Sequence, residues 1–407
     1  MRPLNAAILT VGTELTTGLR TDTNGPEVAR ALRAAGYTVG VLVSLPDDER
    51  AVSGAIETLS GAYALVVVTG GLGPTHDDIT RQAASHALRR PLHPDEAIAE
   101  KLEAAARRHT EPEAAASILR QADVLEGARI VAATTGTAPG QVVTHGDSTL
   151  LLLPGPPHEM RPMLASFLEG RSAGIAPVRL RCALITESDA QVRASRALES
   201  HEGVELTVLA APGEVEVVLF EGGAGPEGLA AAGRAVRAAL GERCYSAEGS
   251  TLAETVVELA RRKTAAIAVA ESCTGGLVAA AITVVPGASA VFAAGVVAYA
   301  NSAKTVALGV DPELIARHGA VSREVALAMA AGVRDRYGAT IAISTTGVAG
   351  PAGGSPERPV GTVWFALDAA DAEPAAVEQR FPGDRVSVRT RARVFALDWL
   401  RRSLEEA

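Results

Sequence analysis

The sequence predicts an α/β multidomain protein, with a doubly wound amino domain, a small α+β middle domain and an α/β carboxy domain. Three observations predict it. Short apolar runs rich in Val, Leu and Ile alternate with Ala-rich helical stretches, as parallel strands do with their crossover helices. Glycine-rich loops follow several of these runs, where doubly wound sheets carry their sites. The length, 407 residues, calls for two or three domains.

The elements follow in order. Residues 6–11 read as a strand ending at Gly12. Asn24 is expected to cap a helix, with Glu27 completing a capping box, and Gly36 to end it. Residues 37–45 read as a second strand and 48–59 as a helix. Residues 63–69 are too apolar for an exposed face, so this third strand belongs at the centre of a parallel sheet. Helices are expected over 79–89 and 94–108, then strands over 141–145 and 149–153. Residues 170–177 read as a linker. Residues 178–248 read as strand, helix, hairpin (205–209 with 214–220) and helix, with no cluster of catalytic residue types. From 250 onward the pattern predicts helices over 252–262, 276–284, 322–337 and 384–404. It predicts strands over 265–270, 290–299, 340–345 and 360–367. The expected domains are 1–170, 171–248 and 249–407.

Composition excludes several functions. Apolar residues make up 47% of the chain and aromatics only 3%, so cores must be built from Ala, Val, Leu and Ile. A formal charge of -9 argues against direct nucleic-acid contact, which needs excess cations against phosphates. With no run of 18 apolar residues and no signal-peptide pattern, no membrane association and a cytoplasmic location are expected. Cys182, Cys244 and Cys273 are too few and too scattered for a disulfide framework or a zinc pattern. Lysine occurs only at 101, 263 and 304. Arginine cannot lose its proton at working pH, so a chain that writes its cations as arginine still needs lysine where a cation must act as a base. Lys263 sits at a helix end, where a cation is favourable. Lys304 has no such structural reason.

Three amino-domain loops gather chemistry: 11–24, 69–80 and 153–159. Gly70, Gly71 and Gly73 let backbone amides approach an anion, and the helix opening near Ile79 adds its dipole. Asp77 and Asp78 are hard oxygen ligands suited to Mg²⁺ or Mn²⁺ beside phosphates. His76 and His158 read as local hydrogen-bonders. The motifs Val-Gly-Thr-Glu-Leu at 11–15, Asp-Thr-Asn at 22–24, Thr-Gly-Gly-Leu-Gly-Pro-Thr-x-Asp-Asp-Ile-Thr at 69–80 and Pro-Gly-Pro-Pro-x-Glu at 154–159 resemble the molybdopterin-binding-like domain of the CinA family. The resemblance covers roughly 4–168 and implies a metal-dependent ADP-ribose pyrophosphatase. By that analogy Asp77 and Asp78 hold the divalent metal (Mg²⁺, Mn²⁺ or Co²⁺), with Glu14, Asp22 and Glu159 assisting. Asn24, Gly70, Gly71, Gly73, Thr75, Thr80 and Gly155 line the nucleotide site, and Thr80 or Arg81 meets phosphate.

In the carboxy domain a strand delivers Glu-Ser-Cys-Thr-Gly-Gly at 271–276 onto the start of a helix. Orphan N–H groups there can stabilise an oxyanion. Ser272, Cys273 and Thr274 all carry candidate nucleophiles. His318 is the one histidine beyond 250, so a Ser-His-acid triad is poorly supplied. Lys304 can serve as base if burial lowers its pKa, and Tyr299 can relay or orient that proton. Cys273 rivals Ser272 as nucleophile. Arg385 and Arg389, at a helix start where the dipole disfavours cations, read either as an anion site or as solvent-facing. These residues, with Tyr-x-Asn-x-x-Lys at 299–304, Gly-Ala-Val-Ser at 319–322, Thr-Gly-Val-Ala-Gly-Pro at 346–351, Gly-Thr-Val-Trp at 361–364 and Phe-Pro-Gly-Asp-Arg-x-x-x-Arg at 381–389, resemble the CinA carboxy-terminal domain over about 250–402. That resemblance implies a nicotinamide mononucleotide deamidase of Ser-Lys type, with no cofactor. Ser272 is then the nucleophile and Lys304 the base. Tyr299, Thr274, Gly275, Gly276, Thr346, Gly347 and Arg385 line the site, and Arg389 meets the 5′-phosphate or supports the pocket. The middle domain matches the family's KH-like connector in position only, since Thr186-Glu-Ser stands where Gly-Glu-Ser is expected. The family further implies a homodimer and a recombination-protein partner. Two other readings are a molybdopterin-type binding protein and a competence or recombination partner protein, both without hydrolysis.

Overall fold

The computed structural model describes residues 4–107, 111–132, 135–171 and 174–406. The expected end, at 108, of the helix predicted over 94–108, and part of the 170–177 linker, fall outside the described residues. The chain divides into two compact units, Met1–Ile175 and Ala176–Ala407.

The first unit runs β1 (Asn5–Val11), a short α1 (Thr13–Thr16), α2 (Asn24–Ala34), β2 (Thr38–Leu45), α3 (Glu49–Ala62), β3 (Leu65–Thr69) and α4 (Thr80–Leu88). It continues through β4 (Leu92–Pro94), α5 (Glu96–Ala106), α6 (Pro112–Leu119), β5 (Asp123–Leu125), β6 (Arg129–Val131), β7 (Gly140–His145), β8 (Ser148–Leu153) and α7 (Pro157–Leu168). Its main sheet has the order β2-β1-β3-β8-β7-β6. The four strands β2, β1, β3 and β8 are parallel, and β7 and β6 continue the sheet antiparallel. All five residues of β3 are buried, because its two faces meet separate apolar clusters, one around Val66 and Val68 and one around Leu65 and Val67. The parallel strands end together, which brings the loops after β1, β3 and β8 to one edge. The α6 helix and the two-stranded β4-β5 sheet were not expected from the pattern. Their short apolar stretches carry no clear period.

The expected capping box at Asn24 does not form. Asn24 is the first residue inside α2, and neither it nor Thr23 makes a side-chain cap. Asp22 takes that role by accepting from the Gly25 amide at 3.0 Å. Asn24 instead reaches across the sheet edge, and Glu27 pairs with Arg161 at 2.5 Å. Tertiary partners outcompete the local cap.

The second unit begins with β9 (Val178–Ala183), α8 (Glu187–Leu198), β10 (Val204–Ala211), β11 (Glu214–Glu221), α9 (Gly225–Leu240) and β12 (Cys244–Ser246). These strands form an antiparallel sheet, β10-β11-β9-β12. At Thr186 the side chain caps α8 by accepting from the Asp189 amide at 3.1 Å.

The remainder holds α10 (Leu252–Arg262), β13 (Ile267–Glu271), α11 (Leu277–Thr283), β14 (Phe292–Val297), α12 (Asn301–Leu308), α13 (Pro312–His318), α14 (Arg323–Tyr337), β15 (Ile341–Gly347), β16 (Thr362–Ala369), β17 (Ala375–Arg380) and α15 (Arg385–Glu406). The sheet order is β14-β13-β15-β16-β17. Parallel β14, β13 and β15 give way to antiparallel β16 and β17. The two central strands β13 and β15 are almost wholly buried. Helices α10 and α15 cover one face and α14 the other. The capping residues Ser322 and Asp384 behave as the sequence predicts. No helix among the described residues is long and apolar enough to cross a membrane.

Candidate functional site

Strand β13 ends at Glu271, and the chain turns through Ser272-Cys273-Thr274-Gly275-Gly276 into α11. Gly275 and Gly276 both adopt positive φ, +60° and +93°, which only glycine takes without strain. The Ser272 amide donates to the Thr345 carbonyl at 2.9 Å, so the neighbouring central strand fixes the backbone of Ser272. Glu271 is 1% exposed. Its carboxylate accepts from the amides of Gly276 (2.9 Å), Val278 (3.1 Å) and Ala279 (2.8 Å). This corrects the expectation that the opening of α11 offers its N–H groups to an oxyanion, since the Gly276, Val278 and Ala279 amides are already committed. From the sequence, Glu271 carries no function beyond its place in the motif at 271–276. An acid at a strand end, just before a glycine pair and a helix, is a readable capping signal.

Lys304 lies in α12 and is 1% exposed. Its Nζ donates to Ser272 Oγ at 3.1 Å, to the Ala298 carbonyl at 2.9 Å and to the Tyr299 carbonyl at 3.2 Å. Burial lowers its pKa below the ordinary lysine value, with the nearby Cys273 opposing. Among the described residues no carboxylate bonds the ammonium, so the charged form lacks the ion pair that burial demands. The sequence identified the pair, but Tyr299 enters through its carbonyl. Its hydroxyl accepts from Arg385 at 2.8 Å, and the side chain is exposed.

The other candidates sort by what they touch. Cys273 is buried, and desolvation pushes its thiol up to about 12, which leaves it protonated and a poor nucleophile. Thr274 shares a 2.7 Å hydrogen bond with Thr345 beneath the turn. Arg389 donates to the carbonyls of Cys273 (3.2 Å) and Thr274 (2.8 Å), so α15 grips the turn from outside. Arg385 also donates to the Gly350 carbonyl at 2.9 Å. Thr346 is buried, with its hydroxyl on the Ala320 carbonyl at 2.6 Å. At Gly347 a Cβ would meet the Thr362 carbonyl at 2.6 Å.

In the first unit the three loops tie to one another. Asn24 Nδ2 donates to the Gly155 carbonyl (2.7 Å) and to Thr69 Oγ1 (3.1 Å). Asp78 accepts from the Gly73 amide (2.7 Å), the Thr75 amide (2.7 Å) and the Thr75 hydroxyl (2.6 Å). Thr80 is buried, with its hydroxyl on the Gly70 carbonyl at 2.8 Å. Arg81 is 2% exposed and donates to the carbonyls of Leu72 and Gly73. These groups hold the loop's shape. The glycines fit the same purpose: a Cβ on Gly70 would strike the Val11 carbonyl, and one on Gly73 would meet the Asp78 carboxylate at 2.6 Å.

Among the described residues no group of three or more His, Cys, Asp or Glu side chains is placed to hold a metal. Asp78, with both oxygens bonded, is a poor ligand. Asp77 is half-exposed. Asp22 Oδ2 and Asn24 Oδ1 are buried without a hydrogen-bond partner, so two oxygens at this edge fit a cation or a hydroxyl donor. Burial raises the Glu159 carboxyl, against the pull of His158. Glu14 folds back over Gly12, where a Cβ would meet its carboxylate at 2.7 Å.

Residues 249–404 match the CinA C-terminal domain, and residues 7–173 match the probable molybdopterin binding domain. The CinA-like protein of Acidobacterium capsulatum is 39% identical, covering 98% of this chain and 99% of its own. That of Thermotoga maritima is 36% identical, with 98% of each covered. Among solved structures, the competence/damage inducible protein CihA from Agrobacterium tumefaciens is 42% identical over 37% of this chain and 96% of its own, with a TM-score of 0.35.

Proposed function

Because the chain belongs to the CinA family, we propose that it is a bifunctional hydrolase of pyridine-nucleotide recycling. Its carboxy part converts nicotinamide mononucleotide to nicotinic acid mononucleotide with release of ammonia. The observation that carries this reading is the 3.1 Å contact between Lys304 Nζ and Ser272 Oγ in a buried site.

A neutral amine has two hydrogens and one lone pair. The Ala298 and Tyr299 carbonyls accept the two hydrogens, which leaves the lone pair facing Ser272. The serine hydroxyl then donates to the lysine and loses its proton as Oγ attacks the carboxamide carbon. Lys304 returns that proton to the departing ammonia, and water hydrolyses the acyl-enzyme. Arg389 positions the turn through two carbonyls, and Glu271 anchors the first turn of α11 behind it.

The test is ammonia release from nicotinamide mononucleotide by the purified protein. Ser272→Ala is expected to abolish it and Cys273→Ala to retain it. The reverse pattern would overturn the serine assignment, and no release by the unsubstituted protein would overturn the deamidase reading.

For the amino part we propose metal-dependent hydrolysis of ADP-ribose to AMP and ribose 5-phosphate, supported by the family match over residues 7–173. Asp22 and Asn24, whose buried oxygens lack partners, would hold the divalent cation together with Asp77. The cation would screen pyrophosphate charge and activate water. Incubation with ADP-ribose and Mg²⁺, Mn²⁺ or Co²⁺ separates this from a pure binding role, because only hydrolysis yields AMP.

A further inference from the structure

Cys182 and Cys244 take no part in the chemistry above, and 61 residues of chain lie between them. The fold nonetheless makes them direct cross-strand partners, Cys182 on β9 and Cys244 on β12. Directly opposed residues share one face of an antiparallel sheet, with Cα atoms about 4.5–5.5 Å apart. That falls inside the span of roughly 4.4–6.8 Å that a disulfide bridges. Both thiols are free, and both belong to the apolar cluster between the sheet and helices α8 and α9.

The two differ in their surroundings. Cys182 is fully buried on a central strand, whereas Cys244 is 9% exposed on the edge strand. Cys244 lines a surface cavity of about 450 Å³ together with Arg234, Arg237, Arg401, Glu242 and Glu405. Arg401 is committed to Asp398 and Glu405. The Cys244 thiol donates to the Ser246 carbonyl at 3.5 Å, and the Cys182 sulfur beside it, with Arg237 and Arg401 adding, holds it below its usual value against the effect of burial. The Cys244 sulfur, with burial, pushes Cys182 up. Cys244, at the sheet edge and on the cavity wall, is therefore the sulfur an incoming reagent meets first, and Cys182 lies behind it on the facing strand, placed to resolve the product.

We propose that Cys244 and Cys182 are a redox-active thiol pair, with Cys244 attacking an anionic low-molecular-weight disulfide that enters the arginine-lined cavity and Cys182 resolving the product. In the first step the Cys244 thiolate forms a mixed disulfide and expels one thiolate. In the second, Cys182 Sγ attacks Cys244 Sγ and the second thiolate departs with the Cys182 proton. The protein dithiol is oxidised to one internal disulfide, and the small disulfide is reduced to two thiols. The cross-link would fasten the three-residue edge strand β12 to the centre of its sheet.

The reduced full chain is incubated with glutathione disulfide, quenched in acid, alkylated and mapped without reductant. The expected result is a Cys182–Cys244 cross-link, with Cys273 still alkylated. A raised melting temperature that reductant reverses should accompany it. Cys182→Ser should stop at a mixed disulfide on Cys244, and Cys244→Ala should form no adduct. The cationic disulfide cystamine should react about tenfold more slowly, on the scale of electrostatic steering, and Arg237→Ala should shrink that preference. Absence of the cross-link, its appearance only after unfolding in urea, first modification at Cys273, or equal rates for the two disulfides would overturn the proposal.

Discussion

Two glycine-rich turns leave central parallel strands in this chain, and each is held by a single carboxylate. In the carboxy site Glu271 collects three backbone amides. In the amino site Asp78 collects two amides and a hydroxyl. The local solution is the same and the outcome differs. Glu271 sits behind its turn, which frees Ser272 to face a buried lysine that no carboxylate among the described residues neutralises. Asp78 sits within its own loop, where Thr75, Thr80 and Arg81 are also bonded to loop atoms, so this stretch keeps little unsatisfied chemistry. Function is legible where a polar group is buried with a partner that does not neutralise it, and obscure where the polar groups satisfy one another.

The largest effect expected of that contrast is at Lys304. Lys304→Arg keeps the charge and removes the base, so ammonia release should fall by roughly 10³-fold or more. Near-normal release would make the Lys304–Ser272 contact structural and erase the distinction between the two turns.

The pH profile sharpens the same point. A base must be neutral, so kcat/KM should rise as pH rises through the folded-state pKa of Lys304, which burial places below the ordinary value of about 10.4. Stability carries the matching sign. Between the lowered folded pKa and the unfolded one the native state binds fewer protons, so stability rises with pH across that window. Lys304→Met should therefore stabilise the protein most at low pH, with the advantage shrinking toward pH ~10 in thermal melts. An advantage independent of pH would mean that no buried charge is involved.

The capping carboxylates come next. Glu271→Gln keeps one acceptor but turns an NH₂ toward a backbone donor, which should cost about 3 kcal/mol in denaturant unfolding of the second unit. Asp78→Ala, in a less enclosed loop, should cost about 1–2 kcal/mol in the first unit. Equal costs would mean that the burial of Glu271 adds nothing.

How much of this was readable follows from the same physics. The central strands of both units are legible because they are short apolar runs buried on two faces, as 65–69 and 267–271 are. Short α6, α12, α13 and edge strand β17 are not, since half-exposed segments carry weak periodicity. Ser272 and Lys304 stand out because rarity and chemistry coincide there. The Glu271 cap lay in plain view but concerns backbone amides, which sequence does not display. Asn24 shows the converse: a sound local capping rule loses to partners 45 and 131 residues away.

The smallest expected effect tests a role the geometry reassigns. Tyr299 faces Lys304 with its carbonyl, which every side chain at that position would supply, while its hydroxyl bonds Arg385. Removing the hydroxyl in Tyr299→Phe leaves the lysine's acceptors in place and loosens only Arg385, which keeps its bond to the Gly350 carbonyl. We expect kcat to fall by less than about threefold and KM to rise, the pattern of weakened substrate positioning. A fall in kcat of about 10²-fold or more with KM unchanged would instead make the hydroxyl a proton relay. The carboxy turn would then rest on three side chains, where the geometry places two.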